Sequence, residues 1–259
     1  MTRSVISRRD FVRVIGGAMA GACVPNRTSK AQAEAVWHPD RAGIPYRWIG
    51  MLSIGNRTAC GFLISDRIVL TAAHVLYNPH PERRLTQWPP PPISFFPAAS
   101  GIHDGRPIAP YGGFRVGKCL VCSEWFKLWK SGNPVGHSGH DWALLVLDRS
   151  PNVGNFGFKG DIEAGDRVDL IGYPGGIRPV HVQHRFSTTV RIQNPWQIVV
   201  SGIIGDSWNG VSGGPIFRWE GDEYGWCAIG ITSRVEVLDG NSYHCRIGSQ
   251  LLNAIKRYA

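Results

Sequence analysis

Short apolar or alternating runs recur along the chain, separated by turn residues. They fall at Trp48–Ile54, Gly61–Ile64, Ile68–Leu70, Trp142–Leu147, Arg167–Ile171, Phe186–Ile192, Gln197–Ile203, Pro215–Trp219, Trp226–Thr232 and Tyr243–Ile247. Runs of this length, rich in Val, Ile and aromatic residues and bounded by Gly, Pro, Asn and Asp, read as strands of antiparallel sandwiches or barrels. The 32 glycines and 18 prolines suit many turns. A helical period is convincing only at the end, where Leu251, Leu252, Ile255 and Tyr258 follow Ser249 as a candidate cap. The stretch from Asn78 to about His140 is long for a connection. Its Trp88 and Pro89–Pro92 read either as a stiff surface crossing, pinned by Trp88, Phe95 and Phe96, or as a docking motif.

The front of the chain has a different character. Ser7-Arg8-Arg9-Asp10-Phe11-Val12-Arg13 has the form of a twin-arginine export signal, followed by a mildly apolar run, Val14 to Val24, and the small-x-small pattern Ala31-Gln32-Ala33. That run is too short for an ordinary membrane span of about 20 residues. Lipoprotein processing at Cys23 is the rival reading. Residues 1–33 are therefore expected to be a signal peptide, with 34–259 the mature domain, periplasmic or secreted from a bacterium. Removing the segment's six basic residues and one acid from 28 and 19 leaves 22 and 18, a formal charge of +4 rather than +9. The remaining basic residues are scattered, which argues against a nucleic-acid partner. No span is expected in the mature chain, and a monomer is.

Candidate chemistry sits in three places. Gly210-Val211-Ser212-Gly213-Gly214-Pro215 presents a serine between glycines, Thr71-Ala72-Ala73-His74 supplies a base, and Asp141 opens the run Trp142–Leu147. A serine hydroxyl needs a base to take its proton, and the base needs a carboxylate to orient it and stabilise its charged form. Asp104 and Asp148 also lie between His74 and Ser212, but Asp148 closes its run and faces a turn. The N–H groups of Gly210 and Ser212 are the candidate oxyanion donors. His137 and His140 share a loop with Asp141, yet two histidines three apart make a weak metal case. No metal and no cofactor are expected.

With these residues the chain resembles the chymotrypsin-like serine peptidases, from about Trp48 to the C-terminus. A nearer likeness is to the bacterial branch of glutamyl, V8-like endopeptidases. The segments Cys60-Gly61-Phe62-Leu63-Ile64, Pro110-Tyr111-Gly112, Asp141-Trp142-Ala143 and Gly172-Tyr173-Pro174-Gly175 carry it. The resemblance implies an all-β fold of two six-stranded antiparallel β-barrels with a C-terminal α-helix, the halves meeting at about 150–165. It also implies an endopeptidase acting through a His74–Asp141–Ser212 triad and an acyl-enzyme, on protein or peptide substrates. An esterase with the same triad, or a peptidase-shaped binding protein without turnover, are the alternatives.

Departures from the family pattern are informative. Valine stands at 211, where digestive relatives place an acid that pairs with the new N-terminus. Asp206 lies six residues before Ser212, the place of the specificity-pocket floor in trypsin-like relatives, where it would favour Arg or Lys; the alternative is a turn residue that caps the loop. Thr232 stands where glutamyl endopeptidases use a histidine, and Thr232 and Ser233 are taken as substrate-binding. In many relatives a bridge joins the place of Cys60 to the residue after the catalytic histidine, here Val75. Without Cys23 five cysteines remain. Cys119 and Cys122 read as a tight local bridge or two thiols, and Cys227 and Cys245 as a possible pair on successive strands.

Overall fold

The computed structural model describes residues 36–37, 42–77, 90–130, 138–159, 161–201, 209–235 and 241–258. All belong to one compact unit, Ala31–Ala259. The signal-peptide expectation for 1–33 lies outside the described residues, as do Trp88, Pro89, His137 and Asp206.

The strands of the first half are β1 (Val36–Trp37), β2 (Ile49–Ile54), β3 (Arg57–Leu63), β4 (Ile68–Thr71), β5 (Ile93–Pro97), β6 (Ile102–His103), β7 (Arg106–Pro107), β8 (Phe114–Val121) and β9 (Ala143–Leu147). Those of the second are β10 (Gly157–Phe158), β11 (Arg167–Gly172), β12 (His184–Gln193), β13 (Gln197–Ser201), β14 (Pro215–Trp219), β15 (Trp226–Val235) and β16 (Asn241–Arg246). The order β2-β3-β4-β9-β8-β5 closes on itself as one antiparallel barrel. The second ring runs β12-β11-β14-β15-β16-β13, and β13 pairs back onto β12. Strand β1 adds to β12, and β10 adds in parallel to β15. A helix over Ser249–Tyr258 ends the chain, burying Leu251 and Ile255. Its first carbonyl acceptor is Gly248, which takes the N–H of Leu252 at 3.0 Å, so the capping position is Gly248 and Ser249 is the first helical residue. Two six-stranded antiparallel barrels with a terminal helix are the fold that the resemblance implies.

Each expected run overlaps a strand. Among the strands that no expected run marks, β5 and β8 belong to the first barrel and lie in the stretch read as a connection. Prolines obscured β5, but Pro97 is its last residue, paired with Gly50, and Phe95 is fully buried. A proline at a strand end removes little from the ladder. In β8, Gly117 is the extra residue of a bulge opposite Leu147 and Val146, which breaks the alternation. The helix α2 (Ser123–Lys130) was also missed. Eight residues are too few for periodicity to declare it.

The barrels join through an aromatic stack. Phe156 is fully buried, with ring centroids 5.1 Å from Trp48, 5.8 Å from Phe62 and 5.3 Å from Phe217. Trp48 Nε1 donates to Val153 O at 2.7 Å. Edge-on and tilted contacts add about 0.5–1.5 kcal/mol each beyond burial. Only glycine fits at 154, where φ is +85° and a Cβ would stand 2.8 Å from the Trp48 indole nitrogen.

Candidate active site

His74 lies in a single helical turn, α1 (Ala73–Leu76), directly after β4. Asp141 follows the 3-10 turn Ser138–His140 and precedes β9, the neighbour of β4. The pairing Thr71↔Ala143 brings the two ends together. His74 Nδ1 lies 2.6 Å from Asp141 Oδ2, and the His74 backbone N–H donates to Asp141 Oδ1 at 2.8 Å. Both carboxylate oxygens therefore hold the same residue, one through its ring and one through its main chain. Asp141 is 1% exposed, and the His74 side chain 16%. The alternatives Asp104 and Asp148 are exposed at turns and take no part.

A third bond to Asp141 comes from the second barrel. Ser233 Oγ donates to Asp141 Oδ2. Thr232 pairs with His244 and Arg234 with Tyr243, so Ser233 is the extra residue of a bulge between β15 and β16. A bulge re-aims a side chain that regular alternation would send elsewhere. The hydroxyl of Ser233, a residue expected to bind substrate, is engaged by the carboxylate. No sequence signal marks that bulge.

The Ser212 loop is fastened to both barrels. Cys60 N donates to Ser212 O at 2.9 Å, and Thr71 Oγ1 donates to Cys60 O at 2.8 Å. Gly213 N donates to Thr232 O at 2.9 Å, and Thr232 N to Gly214 O at 2.8 Å. Gly213 has φ +87°, and a Cβ there would stand 2.2 Å from Cys60 O and from Thr71 Oγ1. Any larger residue would push the loop off β3 and β4. The loop thus abuts Thr71 and Ala72, within three residues of His74. Gly210 has φ +101° and packs on Tyr173 O.

Other expected residues are placed as follows. Val211 is 3% exposed and fills the second barrel's core, its Cγ1 2.5 Å from where a Cβ on Gly172 would stand. An acid there would lie among apolar groups. Thr232 is buried, and its Oγ1 has no hydrogen-bond partner. His140 stacks on Trp196 at 5.4 Å. Cys60, Cys119, Cys122, Cys227 and Cys245 are free, so Cys119 and Cys122 are two thiols and the Cys227–Cys245 pair is not formed. Cys245 pairs across the ladder with Ile231, four residues from Cys227, so the two cannot be bridged. Along the extended end of β8, three residues span about 10 Å, beyond the roughly 7 Å limit for a disulfide. Burial pushes the Cys119 thiol up to about 11 and the Cys60 and Cys245 thiols well up, leaving them unreactive near neutral pH.

The sequence profile of the trypsin-like peptidase domain matches residues 59–225. The chain belongs to the trypsin-like peptidase family. Within it, exfoliative toxin A of Staphylococcus aureus is 27% identical over 231 residues, covering 84% of this chain and 71% of the toxin. The glutamyl endopeptidase of Bacillus licheniformis is 24% identical over 209 residues, 77% of this chain; the match spans 58% of that protein's length. Among solved structures, a Glu endopeptidase in complex with MPD superposes with a TM-score of 0.70 at 18% identity, covering 88% of this chain and 97% of that one. Protease Anisep from Arthrobacter nicotinovorans gives 0.57 at 20% identity, covering 80% and 93%. The likeness to these solved structures shows the two-barrel fold.

Proposed function

We propose that this trypsin-like peptidase is an exported serine endopeptidase with Ser212 as nucleophile, His74 as general base and Asp141 as orienter. The observation that carries the reading is the pair of hydrogen bonds from His74 to buried Asp141, with the Ser212 loop fastened to the same strand end. Asp141 on Nδ1 leaves Nε2 of His74 to accept the Ser212 proton. As Ser212 Oγ bonds to the scissile carbonyl carbon, that proton moves to Nε2 and the carbonyl oxygen becomes an oxyanion. The N–H groups of Gly210 and Ser212 stabilise this charge. His74 then gives the proton to the leaving amine, and water repeats the sequence to release the acyl group. Buried Asp141 stabilises the imidazolium, and Ser233 holds the carboxylate in register. Substrates are proteins or peptides, and residues 1–33 direct export to the periplasm or medium. Val211 in the core leaves no acid to await a new N-terminus, so activity does not depend on that switch.

The test is covalent labelling. A fluorophosphonate should react stoichiometrically at Ser212, and Ser212→Ala should abolish both the label and turnover of casein while the fold persists. An unlabelled wild type that binds peptides would make the protein a silent binding member. Labelling with ester but no peptide turnover would make it an esterase.

A further inference from the structure

Gln183, just before β12, is fully buried. Its Nε2 lies 2.9 Å from Tyr46 O, 3.0 Å from Ile49 O and 2.8 Å from the Tyr173 hydroxyl. Tyr173, 1% exposed, donates its own hydroxyl to Ile49 O at 3.2 Å. Tyr46 and Ile49 belong to the start of the first barrel, and Gln183 and Tyr173 to the second. Side chains of one barrel are thus clamped to the main chain of the other.

The main chain of the clamped residue touches the nucleophile loop. Tyr173 O stands 2.4 Å from where a Cβ on Gly210 would be, and Gly175 N donates to Asn209 O at 2.7 Å. The turn Tyr173-Pro174-Gly175 therefore braces Asn209 and Gly210, and Gly210 carries one of the two proposed oxyanion donors. We infer that Gln183 and the Tyr173 hydroxyl are positioning residues for that donor, fixing the turn that fixes the direction of the Gly210 N–H. The inference rests on the catalytic reading above. An oxyanion donor acts only if it is already aimed where charge develops, so slack in its support should be felt at the transition state and hardly in ground-state binding.

Tyr173→Phe keeps the ring and removes only the hydroxyl. Gln183→Met keeps the volume and removes all three polar contacts. For each, kcat is measured per active site titrated with a fluorophosphonate, so that misfolded protein is not counted. KM and the Ki of a peptide aldehyde, which mimics the tetrahedral state, are measured beside it. Complete loss of a donor lowers kcat about 10²–10³-fold, so a slackened one should lower it about tenfold. KM should stay within about twofold, and aldehyde affinity should weaken in step with kcat/KM. Unchanged kcat per titrated site in both variants, with only a lowered Tm, overturns the inference and leaves the triad intact. Equal changes in kcat and KM with unaltered aldehyde binding overturn it too. A wild type that turns over peptide without labelling at Ser212 removes the catalytic reading and this inference with it.

Discussion

His244 makes the stability of this protein depend on pH in a way the structure specifies. It lies on β16, fully buried, with Nε2 2.7 Å from Ser242 Oγ and Nδ1 without a hydrogen-bond partner among the described residues. Its ladder partners are Thr232 and Ile198. Burial without a counter-charge pushes the imidazole down from 6.5 to about 3. The unfolded chain takes up a proton near pH 6.5 and the folded chain only near pH 3. The contribution is therefore fully present above about pH 6.5 and is lost as pH falls towards 3. The gap of 3.5 units corresponds to about 5 kcal/mol at 1.36 kcal/mol per unit, comparable with the whole stability of a small domain. The perturbation is His244→Gln, which reaches Ser242 with a group that does not titrate. Urea unfolding from pH 8 to 4 should show the wild type losing about 1.4 kcal/mol more per pH unit than the variant below pH 6.5. Carboxylates titrate in both proteins and cancel in the difference. Parallel curves across pH 6.5 to 4 would refute the argument.

Three further outcomes are expected. Ser233→Ala removes one of three bonds to Asp141, and kcat should fall about 10- to 150-fold, with the Ser212 label retained, as a charge-assisted bond contributes about 1.5–3 kcal/mol and each 1.36 kcal/mol is tenfold; loss of all labelling would instead mark a collapsed site. Arg8→Lys with Arg9→Lys should hold the precursor in the cytoplasm, while wild-type mature protein begins at Glu34 by N-terminal sequencing; a mature start before Ala31 would contradict it. If Asp206 is the pocket floor, peptides with Arg or Lys before the cut are cleaved best, and Asp206→Ser costs them about 2–5 kcal/mol while sparing apolar substrates; equal losses on all substrates would make Asp206 a turn residue.

What was legible in the sequence was what one local segment encodes. His74 and Asp141 could be read because each sits at a fixed step from a strong apolar run, and β4 and β9 are neighbours. The close approach of Gly213 to Cys60 O and Thr71 Oγ1 was not legible, because both partners lie on the other barrel. The bond from Ser233 to Asp141 was not legible, because the direction of that side chain depends on a bulge set by the partner strand β16 rather than by its own neighbours. The possible Cys227–Cys245 pair failed for a related reason. Successive strands were correct, but register decides which residues face, and Ile231 takes the place opposite Cys245. Tyr173 drew notice only as part of a motif, and Gln183 not at all, because their partners are main-chain oxygens more than 100 residues away.

These long-range bonds have a common location. The first barrel supplies His74 and Asp141, and the second supplies Ser212 and Ser233, so the proposed site is a seam between two separately closed sheets. A barrel has no edge strand to continue into its neighbour, so backbone ladders cannot hold that seam. Among the contacts that hold it are the Phe156 stack, the Gln183 clamp and the bonds Cys60 N to Ser212 O and Ser233 Oγ to Asp141. Two of these four act directly on the triad segments. A shift of one barrel against the other would therefore loosen the nucleophile loop and the carboxylate together. Chemistry placed at such a seam gains groups from two rigid scaffolds, and its geometry is as firm as the few contacts that cross it. It follows that substitutions at Phe156, far from any reacting atom, should act on turnover as well as on stability.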